Sequence, residues 1–158
     1  CPADRLSSTN RGNALMVDSR QKGARFENDV CKRINDFMVA RGSPVRVRRN
    51  LEQYQISSQC DIELPGFAIE CKAYKDGCWY QNAWWDQVLE SCGEKIPVLI
   101  WKFNNKPPRV VVPTYFLNDS FAKNNSRTVV MSLDEWLNNI DMDPEFYFPQ
   151  QFCAACED

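Results

Sequence analysis

The chain has 158 residues, 44% of them hydrophobic, a formal net charge of −2, eight cysteines and no histidine. That length suits one domain able to bury a core without disulfide or metal staples, and no apolar run approaches the roughly 18–20 residues that cross a bilayer. The missing histidines exclude Ser-His-Asp and Cys-His catalysis, HExxH proteases and His-based nucleases, leaving carboxylates, lysine, tyrosine, cysteine or an oxygen-ligated metal for any chemistry.

Residues 1–19 are polar and rich in Ser, Asn and Arg, and read as a flexible segment. They lack the basic-then-apolar layout of a signal peptide, so an intracellular, cytoplasmic location is the expectation. From Lys22, the spacing of Phe26, Val30, Ile34, Phe37 and Met38 predicts a helix. Arg41-Gly42-Ser43-Pro44 stops it, because Gly suits the left-handed position past a helix end and Pro cannot continue it. Val45 and Val47 then alternate with Arg46 and Arg48, which predicts a strand with a basic outer face.

Cys60 to Leu64 reads as a short strand, Pro65-Gly66 as a turn, and Phe67 to Lys72 as the returning strand of a hairpin. Residues 79–92 resume helical spacing through Trp84, Trp85, Val88 and Leu89. Pro97 to Trp101 is apolar throughout, as a strand covered on both faces would be. Val110 to Val112 and Thr128 to Met131 are further strands. Ser132 and Glu135 form a capping box opening a last helix, Leu133 to about Ile140. With no internal repeat and no linker, the order implies one α/β domain over 20–140, a mixed sheet flanked by helices, followed by an acidic tail over 141–158.

Charge follows the same division. Residues 1–50 hold eleven Lys/Arg against five Asp/Glu, a local +6, while 133–158 hold seven acidic residues and no basic one, a local −7. A polyanion-facing first half with a tail that repels or mimics phosphate fits this, as does a solvated basic face with a solubilising tail. The cysteines read as free thiols. Only Cys153 and Cys156 form a CxxC, and no second CxxC or His completes a zinc set.

The informative run is Asp61-Ile-Glu-Leu-Pro-Gly-Phe-Ala-Ile-Glu70-Cys-Lys72. Glu70 and Lys72, two apart on a strand, share a face, and the hairpin can bring Asp61 beside them. Two converging carboxylates suit a hard cation such as Mg²⁺ or Mn²⁺, with the Cys71 carbonyl as a further ligand. Lys72 would orient or deprotonate an attacking water, or stabilise charge on a phosphate. The bland alternative is an ion-pair ladder on an edge strand. Against it, Glu70 follows the apolar Phe67-Ala68-Ile69, where uncompensated charge is costly.

In this order of motifs the chain resembles the PD-(D/E)XK nucleases, and within them archaeal-type and phage Holliday junction resolvases. The likeness runs over roughly residues 20–114. It comprises Gly23-Ala24-Arg25-Phe26-Glu27 on the first helix, the basic strand, the Asp61 hairpin, Glu70-x-Lys72, the aromatic helix with Gln87, and Val98 to Lys102. Cys60 stands where the family's name-motif has Pro. The resemblance implies a restriction-endonuclease-like fold and Mg²⁺- or Mn²⁺-dependent hydrolysis of DNA, with branched DNA as the leading substrate. It also implies a homodimer, because two strands must be cut symmetrically, and fits a phage-encoded protein. Glu27, Asp61, Glu70 and Cys71 would be the metal ligands and Lys72 the catalytic lysine, with Gln87 supporting the site. Ser57 or Ser58 would touch the scissile phosphate, and Arg25, Arg46, Arg48 and Arg49 the nucleic acid.

Several of these residues also have structural readings. Glu27 could pair with Arg25 or Lys32, and the arginines could protect an edge strand. Lys102 reads as a charged strand end or a DNA contact. Trp79, Tyr80, Trp84 and Trp85 could stack on bases, although aromatics at helical spacing more often form core or dimer interface. The rival functions are a nuclease for other DNA or RNA, a non-catalytic nucleic-acid-binding module of the same fold, and a thiol-based redox or metal-storage protein.

Overall fold

A computed structural model describes the backbone of residues 8–51 and 60–140, with side chains from residue 19. Helix α1 spans Ser8–Ala40. Its buried stripe of Phe26, Val30, Ile34 and Met38 repeats every four residues and faces the sheet. The helix starts well before Lys22 because the periodic stripe marks where packing begins, not where the helix does. It ends as expected, with Gly42 at φ 72° and Ser43 N–H donating to Met38 O at 2.9 Å.

Strand β1 (Ile62–Leu64) turns through Pro65-Gly66 into antiparallel β2 (Phe67–Tyr74), with Gly66 at φ 84°. Helix α2 (Asn82–Cys92) carries the chain over to β3 (Ile96–Phe103), which lies parallel to β2. Strands β4 (Arg109–Pro113) and β5 (Thr128–Ser132) add antiparallel pairs, giving the sheet order β1-β2-β3-β4-β5. Helix α3 (Leu133–Asn139) opens on the predicted Ser132–Glu135 capping box.

The layers follow from strand alternation. Ile69, Val98, Ile100 and Val110 face α1 and α3, while Leu99, Trp101, Phe103 and Val111 face Trp84, Trp85 and Val88 of α2. Cover on both faces explains the unbroken apolar run of β3. The mixed sheet between helices is the restriction-endonuclease-like α/β architecture that the sequence implies.

One expected strand is absent. The segment Val45 to Arg48 forms no strand pair, and only the next residue, Arg49, makes an isolated bridge, to Ile62. The Asn35 side chain takes its place as partner, donating to Val47 O at 2.9 Å and accepting from Val47 N–H at 2.7 Å. The basic segment is therefore fastened to α1 by a side-chain amide, although its valines still point inward as the alternation requires. Ser57, Ser58, the tail over 141–158 and the Cys153/Cys156 pair lie outside the described residues. Among the described residues no helix is long and apolar enough to cross a membrane.

Candidate active site

Strand β1 stops pairing at Ile62, opposite Ile69, so from Glu70 to Tyr74 β2 has no strand neighbour on that side among the described residues. Asp61 sits at this step. Its Oδ2 accepts the Cys71 N–H at 2.8 Å, satisfying a β2 donor just past the last residue pair. The same carboxyl shares a side-chain hydrogen bond with Glu70. Glu70 is 2% exposed, on the α2-facing side of β2 with Lys72.

Burial pushes the Glu70 carboxyl well above its ordinary range. The Asp61 charge and their hydrogen bond add to this, Lys72 opposes it, and Glu27 raises it further. Lys72 donates to Gln87 Oε1 on α2 at 2.8 Å. α2 is held against the sheet by Trp84, Trp85 and Val88, which places Gln87 above Lys72.

Glu27 is buried on α1 and forms an ion pair with Arg49, Nε to Oε2 at 2.5 Å. It faces the same region from the far side of β2, near Cys31 and Cys71. The structure thus brings Asp61, Glu70, Lys72 and Gln87 together and places Glu27 next to them in a salt bridge. Among the described residues no three His, Cys, Asp or Glu groups stand ready to hold a metal ion.

The donor set nevertheless suits one class of cation. Half-buried Asp61 presents its carboxyl to the buried Glu70, an arrangement that a cation between them would stabilise. Mg²⁺ is commonly held by one or two carboxylates and keeps water on its remaining positions.

The basic residues divide. Arg48 is exposed, and Arg46 is exposed with its guanidinium donating to the Ser43 and Val45 carbonyls. Arg46, Arg48 and Arg49 line a cavity of about 600 Å³ with Glu63, but Arg49 turns inward to Glu27. Arg25 lines a smaller cavity with Lys22 and Lys102, the latter exposed at the end of β3.

Of the aromatic residues, Trp84 and Trp85 are core, whereas Trp79 is 54% exposed. The spacing argument missed Tyr74, which continues the Glu70–Lys72 alternation by one more step and stacks on Trp84. It also missed the Glu27–Arg49 pair, because nothing local links residues 22 positions apart.

Cys31, Cys60, Cys71, Cys78 and Cys92 are free. Burial pushes the Cys31 and Cys60 thiols up to about 11 and Cys71 well above its ordinary value, so these three are protonated and unreactive at neutral pH. That weighs against thiol chemistry at these three positions.

A protein-family model described as "Phage putative PDDEXK endonuclease" matches residues 18–143. Comparison with curated proteins and with solved structures gave no match.

Proposed function

The chain belongs to the phage PDDEXK endonuclease family, and on that premise we propose that it is a divalent-metal-dependent DNA endonuclease acting on branched DNA as a homodimer. The observation that carries the chemistry is the Asp61–Glu70 carboxyl pair where β1 gives way beside β2, with Lys72 on the same strand and face as Glu70. Preference for a junction rests on the order of motifs shared with junction resolvases.

Asp61 and Glu70 would hold Mg²⁺ or Mn²⁺, which supplies Lewis-acid activation of water and neutralises charge on the phosphate. Glu27 is the further carboxylate within the neighbourhood and would join by exchanging its Arg49 partner. The Lys72 ammonium, held by Gln87, orients the attacking water and stabilises negative charge on the phosphate oxygens. Burial of Glu70 keeps bulk water from competing for its oxygens. Exposed Arg46 and Arg48 would hold the flanking backbone by charge.

The test is incubation with a four-way junction, a linear duplex and single-stranded DNA in Mg²⁺ or Mn²⁺, comparing wild type with Glu70→Gln and Lys72→Ala. Junction cleavage lost in both variants is the expected result. Cleavage surviving in both would remove the proposed site. Equal cutting of all three substrates would remove the junction preference and leave the nuclease. Sedimentation of the free protein tests the dimer.

A further inference from the structure

The C-terminal half of β2 borders a cavity of about 590 Å³, lined by Lys72, Tyr74 and Lys75 of the strand and its exit, by Lys22 of α1, and by Asn104. We propose that this cavity is a subsite for an unpaired nucleotide next to the phosphate being cut, its base stacked on Tyr74 and its backbone held by Lys22 and Lys75. The inference rests on the nuclease reading for the position of the cut, and goes beyond it in stating which form of DNA the site selects.

Tyr74 lies two residues past Lys72 on the same face of β2, about 7 Å along the strand. A base flanking a phosphate at Lys72 is within reach of it. The ring is parallel to Trp84, with centroids 5.0 Å apart and planes 3° apart. Trp84 is 7% exposed and Tyr74 46% exposed. One face of the tyrosine is therefore backed by a fixed ring, and nearly half of the residue's surface stays open to solvent. A ring so backed loses little freedom when a base settles on it, which is what a stacking platform needs.

The charge around the cavity fits the same occupant. Lys22, Lys72 and Lys75 form no ion pair among the described residues. Lys22 and Lys72 are steadied by the neutral side chains of Asn104 and Gln87, so neither ammonium is tied up in a salt bridge among the described residues. A volume near 590 Å³ is in the range that takes a small ligand of nucleotide size. Bases inside a duplex already have both faces stacked, so Tyr74 offers this contact only to a nucleotide that is single-stranded or displaced at a branch.

The test reads binding of a fluorescent dT 12-mer by anisotropy in EDTA, beside a blunt duplex of the same length. Tyr74→Ala is expected to weaken single-strand binding roughly tenfold, Tyr74→Phe to retain it, and neither to change duplex binding. A 12-mer carrying abasic residues should bind wild type as weakly as the intact strand binds Tyr74→Ala, a result independent of any effect on folding. Single-strand binding that ignores Tyr74, or that falls together with duplex binding, overturns the subsite. A protein that cuts no DNA in Mg²⁺ or Mn²⁺ but keeps Tyr74-dependent strand binding overturns the nuclease and supports the subsite. Normal cleavage with Tyr74-independent binding does the reverse.

Discussion

Lys72 crosses from β2 to α2, its ammonium donating to Gln87 Oε1 at 2.8 Å. The two residues come from different elements, and the helix carrying the acceptor is positioned by a tryptophan-rich face that plays no part in the bond. Under the proposed mechanism Gln87 would position the lysine from outside the reacting atoms. Gln87→Ala is expected to lower kcat about tenfold with KM nearly unchanged, and Lys72→Ala to lower it by about 10²–10³. Steady-state kinetics on a fluorescent junction would show the split. A Gln87 effect confined to KM would contradict the positioning role.

Folding raises the Glu70 carboxyl above its ordinary 4.5. Its contribution to stability is therefore fully present below 4.5 and is lost as pH rises through the raised folded value. Glu70→Gln removes that term, because the amide has no proton to lose. In the metal-free protein, Glu70→Gln is expected to gain on the order of 2 kcal/mol over wild type between about pH 5 and pH 8. Urea unfolding of both proteins across that range checks it, and parallel pH curves would refute it. Mg²⁺ should flatten the wild-type curve alone.

The Glu27–Arg49 pair is nearly sealed from water, with side chains 9% and 15% exposed. Arg49→Met takes the guanidinium away from a buried carboxylate and is expected to destabilise the fold by about 3 kcal/mol. Adding Glu27→Gln to that variant should restore much of the loss. A double-mutant cycle in urea measures the coupling, and additive single effects would mean the pair contributes little.

Gly77 stands at φ 151°, and a Cβ there would come within 2.3 Å of the Phe103 ring. Its carbonyl also accepts from Lys106 Nζ at 2.7 Å. Gly77→Ala must displace the loop from the ring, and a loss of about 1–3 kcal/mol is expected. Thermal unfolding measures it. If Gly77→Ala melts with wild type, the ring is free to move aside.

Local pattern carried most of the fold. The hairpin, the buried β3 run and the Ser132–Glu135 cap were legible because period, turn residues and capping chemistry act over a few positions. The strand expected at Val45 to Arg48 was misread for the complementary reason. Its alternation was real, but the partner of Val47 turned out to be the Asn35 side chain, which no pattern within the segment reveals. At the site, the sequence pointed to Asp61, Glu70, Lys72 and Gln87, and these come together. The pairing of Glu27 with Arg49 and the stack of Tyr74 on Trp84 depend on how α1 and α2 dock. Those are tertiary facts, and one-dimensional spacing does not hold them.

The bond from Cys71 N–H to Asp61 Oδ2 has an evolutionary consequence. A carboxylate that also closes a sheet edge is under two constraints, and an alanine there would leave a backbone donor exposed at the strand as well as remove a charge. Asparagine keeps an oxygen for that donor and discards only the charge. A lineage drifting away from catalysis could therefore change Lys72 or Glu70 early, while position 61 would be held to Asp or Asn for as long as the fold is kept.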